Sequence, residues 1–178
     1  MRILASIVLA AIMLTNGCFC YCLETCGYYL QDGSRGRIVN PAENMLLIAS
    51  PSTTSLFVIQ REIHGDKGDW DPVVSNRVRG FISSCLAGKG YRIVDSEAEA
   101  DYIVSYSWSI RRYTDSKMLW ASVTVEVCNS HKVRVWEGDR ALKYNPTADS
   151  LQELRKASEK SLSHWGKSKD NTKPVFLD

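Results

Sequence analysis

Cysteines at alternate positions, Cys18, Cys20 and Cys22, with a fourth at Cys26, are the densest group of reactive side chains in the sequence. Such thiols could ligate a metal, open a disulfide framework, or end an export signal with one of them carrying lipid. Zinc sites usually take cysteines with two intervening residues, because a turn of that length aims both sulfurs at one ion; CxC spacing is a weak metal signal. What precedes the thiols favours export. Arg2 is followed by residues 3–14 (ILASIVLAAIML), an apolar run of leader length rather than the roughly 20 residues that a spanning helix needs. Ser6 is the single polar residue in the run, too little to give a buried helix a solvent face. The chain beyond the leader then matures where disulfides are permitted. Spacing leaves the pairing of Cys20, Cys22, Cys26, Cys85 and Cys128 open.

Other chemistries leave little trace. His64, His131 and His164 stand apart from one another, and none lies in a zinc-protease motif. The segment GDKGDWDP after the first strong strand has two glycines, but a proline where a phosphate-facing amide would be wanted. Asp66, Asp69 and Asp71 are close enough to suggest calcium, yet the glycine and closing glutamate of an EF-hand loop are missing; turn and capping chemistry accounts for them. No GxSxG motif is present. The sequence therefore nominates no catalytic residue, no metal ligand and no cofactor. Lys and Arg number 22 against 20 Asp and Glu, which supplies no phosphate-neutralising surplus and argues against nucleic acid as a partner.

One constellation keeps a binding role, and its geometry depends on a hairpin. MLWASVTVEV and KVRVWEG read as two strands about Asn129, Ser130 and His131. A three-residue loop would set Cys128 opposite Lys132, Val127 opposite Val133 and Val125 opposite Val135, with all four valines on one face. Trp120, Thr124, Glu126, Arg134 and Trp136 would then share the other face, with Glu126 beside Arg134 and Thr124 beside Trp136. Tryptophan with arginine is the composition of binding hot spots; the plainer alternative is that a helix covers this face and the tryptophans are core.

Around the hairpin the periodicities predict a two-layer domain. Residues 56–63 are β-rich and apolar on both parities at their start, as in a strand covered on both faces. Asp71-Pro72 reads as an N-cap and first helical position, opening a helix whose face is Val74, Val78, Phe81, Ile82 and Cys85 and which ends at Gly88 or Gly90. Residues 91–94 predict a short strand. Tyr102, Val104, Tyr106, Trp108 and Ile110 alternate with Ile103, Ser105, Ser107 and Ser109 as in a strand with one heavily apolar face, an aromatic row better explained as core than as a carbohydrate platform. Asp149 and Gln152 have capping-box spacing before a helix lined by Leu151, Leu154, Leu162 and Trp165, stopping near Gly166. Residues 45–49 suggest a short strand. With 44% apolar residues in 178, one core is affordable. The expected fold class is α/β (α+β): one mixed, mostly antiparallel sheet of four to six strands packed with two main helices. The expected divisions are a signal peptide at 1–17, a lipid-anchored tether and irregular segment at 18–42, the globular domain at 43–168 and a polar tail at 169–178.

Leu14-Thr15-Asn16-Gly17-Cys18 resembles a bacterial lipobox, in which a small residue precedes the cysteine that receives lipid. Gly17 and Cys18 match; Leu14 lies four residues before the cysteine instead of three, and Asn16 is unusual beside the cut. Further along, Gly90-Tyr91, Ala100-Asp101-Tyr102 and Trp136-Glu137-Gly138 resemble the pattern of small bacterial lipoproteins of uncharacterised function, over residues 56–165. Their domains are similar in fold to the N-terminal domain of TolB and to the outer-membrane lipoproteins that activate penicillin-binding proteins by contact. The resemblance implies a non-catalytic, partner-binding domain anchored to a membrane through lipid at Cys18. The implied partner is an envelope protein or polymer, and the implied location is the cell envelope, at the outer membrane facing the periplasm. A soluble periplasmic or secreted binding module, and an exported hydrolase, are the alternatives.

Overall fold

The structure, a computed structural model, describes residues 33–61, 71–112, 117–167 and 169–170. Within them the chain runs β1 (Gly33–Ile38), α1 (Pro41–Ala49), a 3-10 turn (Pro51–Thr53), β2 (Ser55–Gln60), α2 (Pro72–Gly88), β3 (Arg92–Val94) and a second 3-10 turn (Glu97–Glu99). It continues through β4 (Tyr102–Arg112), β5 (Leu119–Asn129), β6 (Arg134–Tyr144), α3 (Ser150–Ser161) and a two-residue β7 (Lys169–Asp170). The strands lie side by side as β3-β2-β4-β5-β6-β1-β7. β2 is parallel to both β3 and β4, and every other pairing is antiparallel. This is the expected mixed α/β sheet, open at its edges, with the β2-α2-β3 crossover supplying a parallel pair.

Alternation along the long strands decides what each face does. On β4, Tyr102, Val104, Tyr106 and Trp108 are buried; on β5 their partners Val123, Val125 and Val127 are fully buried. The aromatic row is core. Tyr106 donates its hydroxyl to the carbonyl oxygen of Ser75 at 2.8 Å, and Trp108 donates its indole N–H to Ser75 Oγ at 3.1 Å, so α2 lies against this face. Burial pushes the Tyr106 hydroxyl up to about 12. Asp71 caps α2 by accepting from the amides of Val73 and Val74, with Pro72 at the first turn as expected. The buried stripe of α2 is Ser75, Val78, Ile82 and Leu86, with Val74, Phe81 and Cys85 at its margins. Asp149 caps α3 through the amide of Leu151. That helix ends at Ser161, and turns carry the chain on to Gly166.

Two expectations fail at the N-terminal side of the domain. Residues 45–49 are helical: Asn40 accepts from the Glu43 amide at 3.3 Å and Pro41 takes the first helical position, which makes α1. Leu47 and Asn44 face inward, and the Asn44 side-chain amide donates to the Gly166 carbonyl at 2.9 Å. Residues 33–38, expected in the tether, form β1 on the outer side of β6. Its glycine is required by packing, since a Cβ at Gly36 would meet His164 Cβ at 2.8 Å and the Lys167 carbonyl oxygen at 2.9 Å. Residues 169–170, expected in the tail, pair with β1. The expected leader, lipid site and first four cysteines, together with His64, Asp66 and Asp69, lie outside the described residues.

The three short motifs each tie elements together. Gly90 takes a φ of +94°, releasing the chain from α2 so that Tyr91 donates its hydroxyl to the Leu47 carbonyl and accepts from the Trp165 indole. Asp101 Oδ2 accepts both the amide and the hydroxyl of Ser55 at 2.7 Å, which pins the entry of β4 to the start of β2. Gly138 passes beneath the end of α3, where a Cβ would overlap the Ser161 carbonyl oxygen and the Trp136 ring.

Gly138→Ala is expected to cost about 2 kcal/mol, the usual scale of overpacking. Gly80→Ala, on an exposed helical site with nothing within 4 Å of the added methyl, should instead stabilise by roughly 0.5–1 kcal/mol; denaturant unfolding reads both. The Ser55 amide and hydroxyl hold the Asp101 carboxyl below its ordinary value of 3.8. The stability it contributes is present above that value and is lost as pH falls through the lower folded value. Asp101→Asn should therefore cost about 1 kcal/mol at neutral pH, and the gap from wild type should close in acid.

Candidate functional site

α2 and α3 cover one side of the sheet; the other side, helix-free in the sense that no helix among the described residues covers it, carries the charged side chains. The β5–β6 register decides which side chains reach it. The loop has three residues, but they are Ser130, His131 and Lys132: Asn129 Oδ1 accepts the amides of His131 at 3.0 Å and Val133 at 2.9 Å, and Lys132 adopts a φ of +61°. Cys128 therefore pairs with Arg134 rather than Lys132. An irregularity follows, with Val127 opposite Trp136, Val125 opposite Gly138, Glu126 opposite Glu137 and Thr124 opposite Asp139. Val135 is the extra residue, and a one-residue slip turns every later side chain to the opposite face.

The expected five-residue face is therefore divided. Thr124, Glu126 and Arg134 stay together on the helix-free side. Trp136 turns to the helix layer, is fully buried, donates its indole N–H to the Lys167 carbonyl at 3.0 Å, and packs on Trp165 with ring centroids 5.1 Å apart. Trp120 remains on the helix-free face by parity but at the far end of β5, opposite Arg111 and Lys143, and is only 1% exposed. Neither tryptophan is an accessible binding anchor; burial makes both structural.

In their place the register assembles charge. Glu126 and Glu137 sit directly opposite on neighbouring strands, an arrangement that like charges disfavour, and arginines offset it. Arg134 Nε lies 3.1 Å from Glu126 Oε2, and its terminal nitrogen 3.5 Å from Glu137 Oε2. Arg61 reaches Glu126 Oε2 at 3.2 Å from the end of β2, and Arg37 reaches Glu137 Oε1 at 2.8 Å from β1. Arg61, Glu126, Arg134 and Glu137 of this lattice, together with Arg35, Thr124 and Asp139, border an open cleft of about 270 Å³; Arg37 stands outside it. Cys128 Sγ lies 3.7 Å from Glu126 Oε1; burial, and then the Glu126 carboxylate, push its thiol up, so the sulfur is a protonated wall rather than a nucleophile. Cys85, on α2, is also free. Among the described residues no group of three His, Cys, Asp or Glu side chains is placed to hold a metal.

Arg35, Arg37, Arg61, Glu137 and Asp139 were not nominated by sequence pattern. Their signal is present: Arg35 and Arg37 alternate, as do Glu137 and Asp139 against Trp136 and Gly138. The guanidinium groups of Arg37, Arg61 and Arg134 are already paired to carboxylates, so the cleft is suited to exchanging internal ion pairs for those of a charged partner. A double-mutant cycle of Glu126→Gln and Arg134→Gln should give a coupling of about 0.5–1 kcal/mol, weakened by salt. A coupling of zero at low salt would remove the lattice as an energetic unit.

Neither a protein-family model nor a curated protein matches the chain. Solved structures do. A PDZ domain protein from Parabacteroides distasonis has a TM-score of 0.53 at 8% identity, over 86% of this chain and 40% of that one, so less than half of the larger protein is involved. A PelC dodecamer from Paraburkholderia phytofirmans gives 0.49 at 14% identity, over 76% of this chain and 98% of that one. A minor lipoprotein from Acinetobacter baumannii gives 0.36 at 14% identity, over 60% and 82%. At 8% identity the likeness to the PDZ domain protein is one of fold alone.

Proposed function

We propose that this chain is an exported cell-envelope lipoprotein whose α/β domain binds a partner without catalysis, through the charged cleft on the helix-free face of its sheet. In this reading the leader is cleaved before Cys18, that cysteine carries lipid, and the domain is held at the outer membrane facing the periplasm. The partner is an envelope protein or polymer bearing charged groups. The observation that carries the binding role is the arrangement of arginines and carboxylates around an open cleft on the side of the sheet opposite α2 and α3. The apolar run at 3–14 and the Gly17-Cys18 pair support the anchor. More than one acyl chain, as in full lipoprotein modification, makes such an anchor stable.

Palmitate labelling of cells expressing the full chain tests the anchor: wild type should label and Cys18→Ser should not, whereas unlabelled wild type would leave a soluble exported module. A photoreactive residue at exposed Thr124 tests the cleft. It should crosslink to one envelope component, and Glu126→Ala with Arg134→Ala should abolish that product while leaving stability nearly unchanged. A product indifferent to those substitutions would contradict the site.

A further inference from the structure

The apolar side chains left exposed are not spread evenly. Among the described residues seven large hydrophobic side chains are exposed: Val39, Met45, Leu46, Ile48, Ile59, Val73 and Val133. Strand pairing places the first four and Val133 at one end of the sheet. Ile38 is opposite Trp136, Arg134 is opposite Cys128, and Asn129 is opposite Tyr102. α1 follows Ile38 directly, and its Glu43 carbonyl accepts the Tyr102 hydroxyl at 3.4 Å, so it sits at that same end. The β5–β6 turn bearing Val133 is there too.

After Glu43 and the inward-facing Asn44, residues 45–49 of α1 are apolar on both sides. Leu47 is buried, while Met45 and Leu46 on the outer side are 68% and 63% exposed and Ile48 is 43% exposed. A helix with apolar residues all round is normally covered on both sides. These side chains stand out from a helix and a turn, and they are far fewer than the 20–30 residues a side of a stable protein interface. Few, protruding and grouped at one end, they fit a fluid apolar phase better than a second folded surface.

We infer that this end of the domain, through α1 and the Val133 turn, docks onto the surface of a phospholipid bilayer. The inference rests on the proposed lipid anchor at Cys18 for its local concentration. Residues 19–32 separate Cys18 from β1; such a length reaches at most about 46–50 Å, and β1 itself spans about 20 Å. The anchor can therefore lie in the same bilayer that α1 touches. Partial burial of Met45, Leu46 and Ile48 is a weak attachment alone and becomes effective once a tether holds it close. The cleft beside Glu126 lies on the helix-free face, so docking by this end leaves that face turned along the membrane and open to a partner.

The test uses the full chain, processed in cells and reconstituted into phosphatidylethanolamine–phosphatidylglycerol vesicles, with a photoreactive residue at Leu46 or, for comparison, at exposed Arg77 on α2. Mass spectrometry reads acylation and lipid adducts in the same sample. Position 46 should form phospholipid adducts and position 77 should not. In the acylated chain with the probe moved to Val133, Met45→Glu with Leu46→Glu should cut the phospholipid adducts roughly tenfold. An acylated protein that forms no lipid adduct at 46, or that crosslinks there to a second copy, overturns the docking and leaves the anchor standing. Lipid adducts at 46 in a chain found to carry no acyl group support the docking and overturn the anchor alone.

Discussion

The inserted residue Val135 fixes the parity of β6, and the two faces of the domain follow from it. Without the insertion, Glu137 and Asp139 would point at the helices and Trp136 and Gly138 away from them. With it, the indole of Trp136 enters the core beside Trp165, and Gly138 lets the end of α3 approach the sheet. The same step turns Glu137 and Asp139 outward, beside Glu126 and the arginines of β1 and β2. Core packing and surface charge are two results of a single backbone irregularity, held in place by the Asn129 side chain at the turn.

The charged face balances its own electrostatics. Two glutamates facing each other across a strand pair repel, and partly burying them sharpens the repulsion. Arg134 spans both, while Arg61 and Arg37 approach from flanking strands, so three chain segments distant in sequence meet at one patch. Such pairs contribute little to stability individually because the guanidinium groups are largely exposed. Their consequence is recognition: a fixed pattern of donors and acceptors that a charged partner can match.

Much of this was legible in the sequence, for identifiable reasons. The β4 alternation, the Asp71-Pro72 start of α2 and the closing helix after Asp149 are local signals, and the structure has them all. α1 was hidden because residues 45–49 are apolar on both parities, yet Asn40-Pro41 with Glu43 is an ordinary helix start. β1 was hidden by Gly33 and Gly36, which suggest loop, although Gly36 is needed for contact with the segment after α3. The hairpin register failed because alternation cannot reveal an inserted residue; both registers bury Val125 and Val127, and they differ in where Trp136 goes. Tryptophan beside arginine suggested a hot spot, and the bulge sends that tryptophan to the core.

The register is therefore the quantity to measure. Nuclear Overhauser contacts between backbone protons of β5 and β6 in the folded chain should place Val127 opposite Trp136 and Val125 opposite Gly138, with Val135 out of pairing. Contacts joining Val127 to Val133 and Val125 to Val135 would contradict the account, because Glu137 and Asp139 would then point into the core.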